Sequence, residues 1–143
     1  GLYYPASITL SRQVIAPPNG VTYVNGNVTV SQRSTLYGIL VATGTIQIRN
    51  RFEQFQHPSH PDWPAMIAGV DFDDDNQNHF TGTIFAGNNI KSDNRRTFDG
   101  KLIALGSIQI DNRALVNYTS PPAWSPSDTN NGQPPIIFGG WLR

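Results

Sequence analysis

Apolar and polar residues alternate along most of this chain, and the alternation itself recurs. Setting Gly20, Gly38, Pro64, Gly82 and Gly100 in one column gives steps of 18, 26, 18 and 18 residues. Two positions on stand Thr22, Leu40, Met66, Ile84 and Leu102, and two further Val24, Ala42, Ala68, Ala86 and Ala104. A second turn column reads Gly26, Gly44, Val70, Asn88 and Gly106, followed by the apolar Val28, Ile46, Phe72, Ile90 and Ile108. The columns flanking those last residues are polar: Asn27, Thr45, Asp71, Asn89, Ser107 and Thr29, Gln47, Asp73, Lys91, Gln109. A strand sends alternate side chains to opposite faces, so the apolar columns predict inward positions and the polar ones outward positions. Gly and Asn recur where the chain must turn, including a column Gln32, Asn50, Asn76, Asn94 and Asn112 whose side chains are expected to bond from coil to coil.

A short repeat with fixed inward columns predicts an all-β fold, a single β-solenoid of about five coils, one per repeat. The six-residue apolar beat of left-handed hexapeptide solenoids is weak here, so a right-handed β-helix is the expectation. One coil alone buries too little apolar surface to offset the entropy of ordering it, so each coil depends on a stacked neighbour. Three parts follow: an N-terminal strand or cap over 1–20, coils over 21–114 with a polar insertion near 52–63, and an extended C-terminal segment over 115–143. Open solenoid ends are edge strands; the two terminal parts are expected either to cap them or to leave them for assembly.

Composition narrows the function classes. Ten Lys+Arg balance ten Asp+Glu, so net charge points to no nucleic-acid or membrane partner. The absence of cysteine removes disulfides and thiolate metal sites. No run of 18 apolar residues and no signal-peptide pattern occurs, hence no membrane span is expected.

The phrases YVNGNVTVSQRSTLYGILVATGTIQI, IFAGNNIKSDN and LIALGSIQIDNRALVNYTSPP resemble the β-solenoid modules of prokaryotic surface proteins. The nearest likeness is to accessory or minor-pilin-like proteins of type IV pilus systems, and a more distant one is to bactofilins; it covers about Val21 to Pro122. The resemblance implies a cell-surface location and a structural role. Bactofilin-like solenoids polymerise end to end. The apolar N-terminal helix that anchors pilin-like proteins is not part of this sequence, and neither family brings catalytic residues.

Several columns could carry function. Tyr23, Val41, Ile67, Phe85 and Ile103 lie between two inward columns, so alternation aims them outward as an apolar stripe. Such a stripe marks an interface unless a terminal segment, SITLSRQVI or IIFGGWLR, lies over it or the faces are reversed. Arg33, Arg51, Arg95 and Arg113 form a ladder that could hold a polyanion such as DNA or an acidic polysaccharide. The column Ser31, Arg49, Asp75, Asp93, Asp111 runs beside it, and its aspartates are expected to neutralise the ladder.

Asp71, Asp73 and Asp75 alternate as calcium ligands can, without the Gly and distal Glu of an EF-hand, and a solvated corner is the preferred reading. Asp74 falls in an otherwise apolar column and is expected to distort its coil. His57, His60 and His79 lack the companions of a zinc site. Asp73, Asp75 and Arg95 are the only conceivable catalytic set, so no enzymatic activity is expected. Asn27 and Asn117 begin glycosylation sequons.

The preferred reading is therefore a non-catalytic structural subunit of a prokaryotic surface filament or pilus-associated assembly. Its partners would be copies of itself or pilus subunits, and it would need no cofactor. An adhesin-like glycan- or DNA-binding module is the alternative, and a carbohydrate-active enzyme comes third.

Overall fold

The computed structural model describes residues 1–94, 97–111 and 115–117, all as strands and turns without a helix. The first coil holds β1 (Leu2–Tyr4), β2 (Ile8–Leu10) and β3 (Val14–Ile15); the second β4 (Val21–Val24), β5 (Val28–Val30) and β6 (Ser34–Tyr37). The third holds β7 (Ile39–Ala42), β8 (Ile46–Ile48) and β9 (Phe52–Phe55). Then come β10 (Met66–Ala68), β11 (Phe72–Asn76), β12 (Phe80–Ala86), β13 (Ile90–Asn94), β14 (Thr97–Ala104), β15 (Ile108–Ile110) and β16 (Leu115–Asn117). Every strand pairs in parallel with its equivalents in the neighbouring coils, which makes a β-solenoid with three faces. The third face of the later coils is merged into β12 and β14, which run through a corner into the first face.

The coils number six rather than about five, because 1–20 is itself a coil and not a cap. β1 stacks on β4 with Leu2 opposite Thr22, β2 on β5 with Ile8 opposite Val28, and β3 on β6 with Ile15 opposite Leu36. Ser7–Ile15, the segment SITLSRQVI, is thus part of the wall and does not lie over the apolar stripe. The insertion is also narrower than 52–63. Phe52–Phe55 is an ordinary strand opposite Ser34–Tyr37, and the eight extra residues are 56–63, at the corner between third and first faces.

The core is a column of stacked side chains along the axis. Val28, Ile46, Phe72 and Ile90 are almost wholly buried, as are Leu36, Phe80 and Phe98 on the third face. Phe80 sits among Phe52, Phe72 and Phe98 with ring centroids 5.7–6.2 Å away. In the last coil the equivalent Ile108 is 45% exposed against 0% for Ile46, so the described residues leave that end of the core open.

Corners are where backbone groups lose strand partners, and side chains replace them. At the corner between first and second faces, the Oδ1 atoms of Asn27, Asp71 and Asn89 accept the amides of Thr45, Asn89 and Ser107 in the next coil, at 2.9–3.0 Å. The coil-to-coil ladder thus runs through the Asn27 column. In the column expected to carry it, Asn76 has a left-handed φ of 76° and donates to the Arg49 carbonyl at 3.0 Å. Asn94 and Asn112 fall outside the described side chains. At the corner of Gly20 and Gly38 the coils approach so closely that a Cβ on Gly38 would lie 2.1 Å from the Gly20 carbonyl oxygen.

Two buried polar side chains break the apolar columns, each for a stated reason. Gln54 occupies the column of Ile15, Leu36 and Phe80, in the coil that carries the insertion. At the start of the same coil the Ile39 amide closes the corner on the Gly20 carbonyl at 2.8 Å; its register equivalent one coil on, Ala65, bonds instead to Thr83. Gln54 Nε2 takes over, donating to the Gly38 carbonyl at 3.1 Å, while its Oε1 accepts the Thr81 amide at 3.0 Å. Asp74 keeps full register between Ile48 and Ser92 and does not distort its coil. It is buried, accepting from Ser92 Oγ at 3.0 Å and from Asn78 Nδ2, and Asn78 Oδ1 in turn accepts the Phe52 amide at 2.7 Å.

Candidate functional site

The first face carries the apolar stripe outward. Tyr23, Val41, Ile67, Phe85 and Ile103 are in register from coil to coil while Val24, Ala42, Ala68 and Ala86 beneath them are buried, so the faces are not reversed. The first coil adds Tyr3, opposite Tyr23, their rings stacked at 5.8 Å. Tyr3 is 63% exposed, Phe85 38% and Ile103 41%, with Val41 and Ile67 half-buried. Of the side chains that flank the stripe on this face among the described residues, only Lys101 is charged; its neighbours include Val21, Ile39, Thr43, Gly69, Gly87 and a fully outward Leu105. The segment IIFGGWLR lies outside the described residues.

The second face is the opposite case, with both of its described cations paired on it. Arg49 reaches Asp73 and Asp75 at 3.8 Å, and Lys91 reaches Asp93 at 3.8 Å. The aspartates expected to neutralise the ladder are thus engaged on the second face where the structure describes them, while Arg95 and Arg113, the arginines they neighbour in sequence, lie outside the described residues. Asp75 stacks directly on Arg49 in its own column, about 4.8 Å along the axis, whereas the ladder stands two residues further along the strand and round a corner. Among the described residues Arg33 and Arg51 make no ion pair; Arg95 and Arg113 lie outside those residues.

The ladder has a member the sequence reading missed. Arg12 of the first coil joins Arg33 and Arg51 along a cleft of about 660 Å³, with Gln32, Asn50 and Thr35 in its walls. A second hollow of about 430 Å³ continues past Arg33 and Arg51 to Glu53 and Gln77. Arg12 and Arg51 hold φ of 55° and 45°, which turns the chain at this corner. The signal was present: ITLS in the first coil matches VTVS in the second, two residues out of the regular period, and carries Arg12 to the level of Gln32 and Arg33.

The remaining candidates separate. Asp71 caps a corner, its Oδ1 accepting from Asn88 Nδ2 and the Asn89 amide, while Asp73 and Asp75 flank Arg49. No group of three or more His, Cys, Asp or Glu is placed to hold a metal ion among the described residues. His60 and Trp63 stack at 3.9 Å with rings 2° from parallel, and His57 packs on both, so these side chains fold the insertion onto itself. The His57 ring also fills the space over Gly20, tying the insertion to the wall. His79 stands apart on the third face, bridged to Glu53. Asp73 is engaged with Arg49 and Gln47, and the third member of the conceivable catalytic set, Arg95, is not described. The sequon residue Asn27 gives its side chain to the corner ladder, and Asn117 bonds Asp99 at 3.2 Å.

The chain is an all-β parallel solenoid with three chemically distinct faces. No family model matches it, and no curated protein or solved structure matches it either. No helix among the described residues is long and apolar enough to cross a membrane.

Proposed function

We propose that this chain is a non-catalytic structural subunit of a prokaryotic surface assembly, which packs against copies of itself through its first face. The observation that carries the reading is the segregation of charge: ion pairs on the second face, arginines on the edge of the third, and an apolar stripe beside a single charged side chain on the first. A sheet face with little charge and with large outward side chains is what a second sheet packs against.

Six coils at about 4.8 Å and a strand width near 13 Å give a patch of roughly 300 Å² in projection. That is well below the roughly 800 Å² per partner of a stable pair, so a single contact is weak and association grows through repeated contacts in an array. The resemblance to surface solenoids of pilus systems agrees with such a role and supplies the proposed location.

Sedimentation and light scattering from micromolar to millimolar concentration, with negative-stain electron microscopy, test this. Concentration-dependent association is expected, and it should be abolished by Ile67→Glu together with Phe85→Glu, outward changes that leave the core untouched. A chain that stays monomeric throughout, or associates equally well with both substitutions, would sink the proposal.

A further inference from the structure

We infer that the third face binds an anionic polysaccharide, held by the arginine cleft at its edge and by an aromatic pair on the same strands. Three arginines from consecutive coils stand about 4.8 Å apart along the axis, the spacing of stacked strands. Like charges at that distance repel, and among the described residues Arg12, Arg33 and Arg51 have no acidic partner within ion-pair range. The three exposed arginines therefore present unspent guanidinium donors, which match carboxylate or sulfate oxygens in paired geometry.

The rest of the face reads as a sugar site rather than a phosphate site. Amides of Gln32 and Asn50 and the hydroxyl of Thr35 line the cleft, groups that exchange hydrogen bonds with hydroxyls. Glu53 shares the adjoining hollow with Arg33 and Arg51. A carboxylate only accepts, so it suits the hydroxyl donors of a sugar, which a phosphodiester backbone lacks. Two residues beyond Thr35 and Glu53, Tyr37 and Phe55 point outward with rings stacked at 5.4 Å, and they are 41% and 39% exposed. They lie about 13 Å from the arginines along the strand, the reach of a short oligosaccharide, and offer apolar surface to the face of a sugar ring.

Fluorescence polarisation with labelled oligogalacturonate as the probe tests this, beside a neutral dextran fragment and a single-stranded oligodeoxynucleotide of equal charge. Oligogalacturonate is expected to bind, more weakly as salt rises because the charges are exposed. Arg33→Gln should lower affinity roughly tenfold, and Arg51→Asn, which keeps a residue tolerant of positive φ, by a similar factor. Arg49→Gln, on the ion-paired second face, should change nothing. Circular dichroism checks each variant; Arg33, free of backbone strain, carries the test should Arg51→Asn misfold. Absence of oligogalacturonate binding, equal binding of dextran, or indifference to Arg33→Gln would overturn the inference. Tighter binding of the oligonucleotide would also overturn it, in favour of a phosphate polymer.

Discussion

Replacing Gly38 by alanine should unfold the solenoid far more readily than the loss of one hydrogen atom suggests. Gly38 has φ of 103°, a conformation L side chains rarely adopt. Strain of that kind costs about 1–3 kcal/mol when the surroundings enforce it. They do: the new Cβ would stand 2.1 Å from the Gly20 carbonyl oxygen and 2.7 Å from its carbon, both backbone atoms of the adjacent coil. Relief requires the two coils to separate at this corner. The bond that joins them there is Ile39 N–H to the Gly20 carbonyl at 2.8 Å, and Gly38 is pinned from its other side, its N–H by the Phe55 carbonyl at 2.8 Å and its carbonyl by Gln54 Nε2 at 3.1 Å. Leaving even one such buried group unpaired costs about 1–3 kcal/mol. Together the two effects amount to about 2–6 kcal/mol, a large share of the 5–15 kcal/mol typical of a whole domain. With a urea slope of about 2 kcal/mol/M, the unfolding midpoint should fall by about 2 M. The assay is urea unfolding followed by far-ultraviolet circular dichroism. A loss below about 1 kcal/mol would show that the corner can relax without cost and would refute the reasoning.

Other substitutions test the remaining energetic statements. Thr22 is wholly buried and its hydroxyl finds no partner among the described residues, so Thr22→Val should raise stability by about 1 kcal/mol, read as an upward shift of the urea midpoint. Gln54→Leu restores an apolar column yet should destabilise by about 2–4 kcal/mol, because the Gly38 carbonyl and the Thr81 amide lose their partners; a stabilised variant would mean that those groups find others. Arg49→Ala should cost less than about 1 kcal/mol in a thermal melt, since its pairs with Asp73 and Asp75 are long and largely exposed.

What the sequence made legible was whatever repeats. A period of 18 with alternating apolar columns was enough to place Met66 between Leu40 and Ile84, and to aim Val41, Ile67 and Phe85 outward. What it hid is whatever depends on one coil differing from the next. The first coil escaped because it lacks the glycine column and runs 20 residues to its neighbour on the first two faces, which also concealed Tyr3 and Arg12. Gln54 was silent because its role exists only where the insertion diverts the Ala65 amide. The aspartates expected to neutralise the ladder, Asp75, Asp93 and Asp111, precede Gln77, Arg95 and Arg113 by two residues; that Asp75 pairs instead with Arg49 was hidden because distance between coils decides it. Asp74 likewise looked like a defect along the chain, and it is a buried acceptor for groups brought from Ser92 and Asn78.

The same geometry would let one repeat serve both of the proposed purposes. Inward columns and corners fix the fold, so an outward column is free to vary without consequence for its neighbours one face away. On the second face the cations are consumed by its own aspartates, Arg49 by Asp73 and Asp75 of the next coil and Lys91 by Asp93 on its own strand. The arginines at the edge of the third face stack instead on one another and on neutral amides, so their charge remains available to a ligand. The first face contributes almost no charge and so has only apolar contact to offer. The proposed self-association and the proposed glycan binding would therefore be separable by construction of the fold. Ile67→Glu with Phe85→Glu should abolish the former and leave polarisation with oligogalacturonate unchanged, while Arg33→Gln should do the reverse. If either change disturbed both properties, the three faces would not be independent, and the coils would have to be coupled through the core rather than merely stacked.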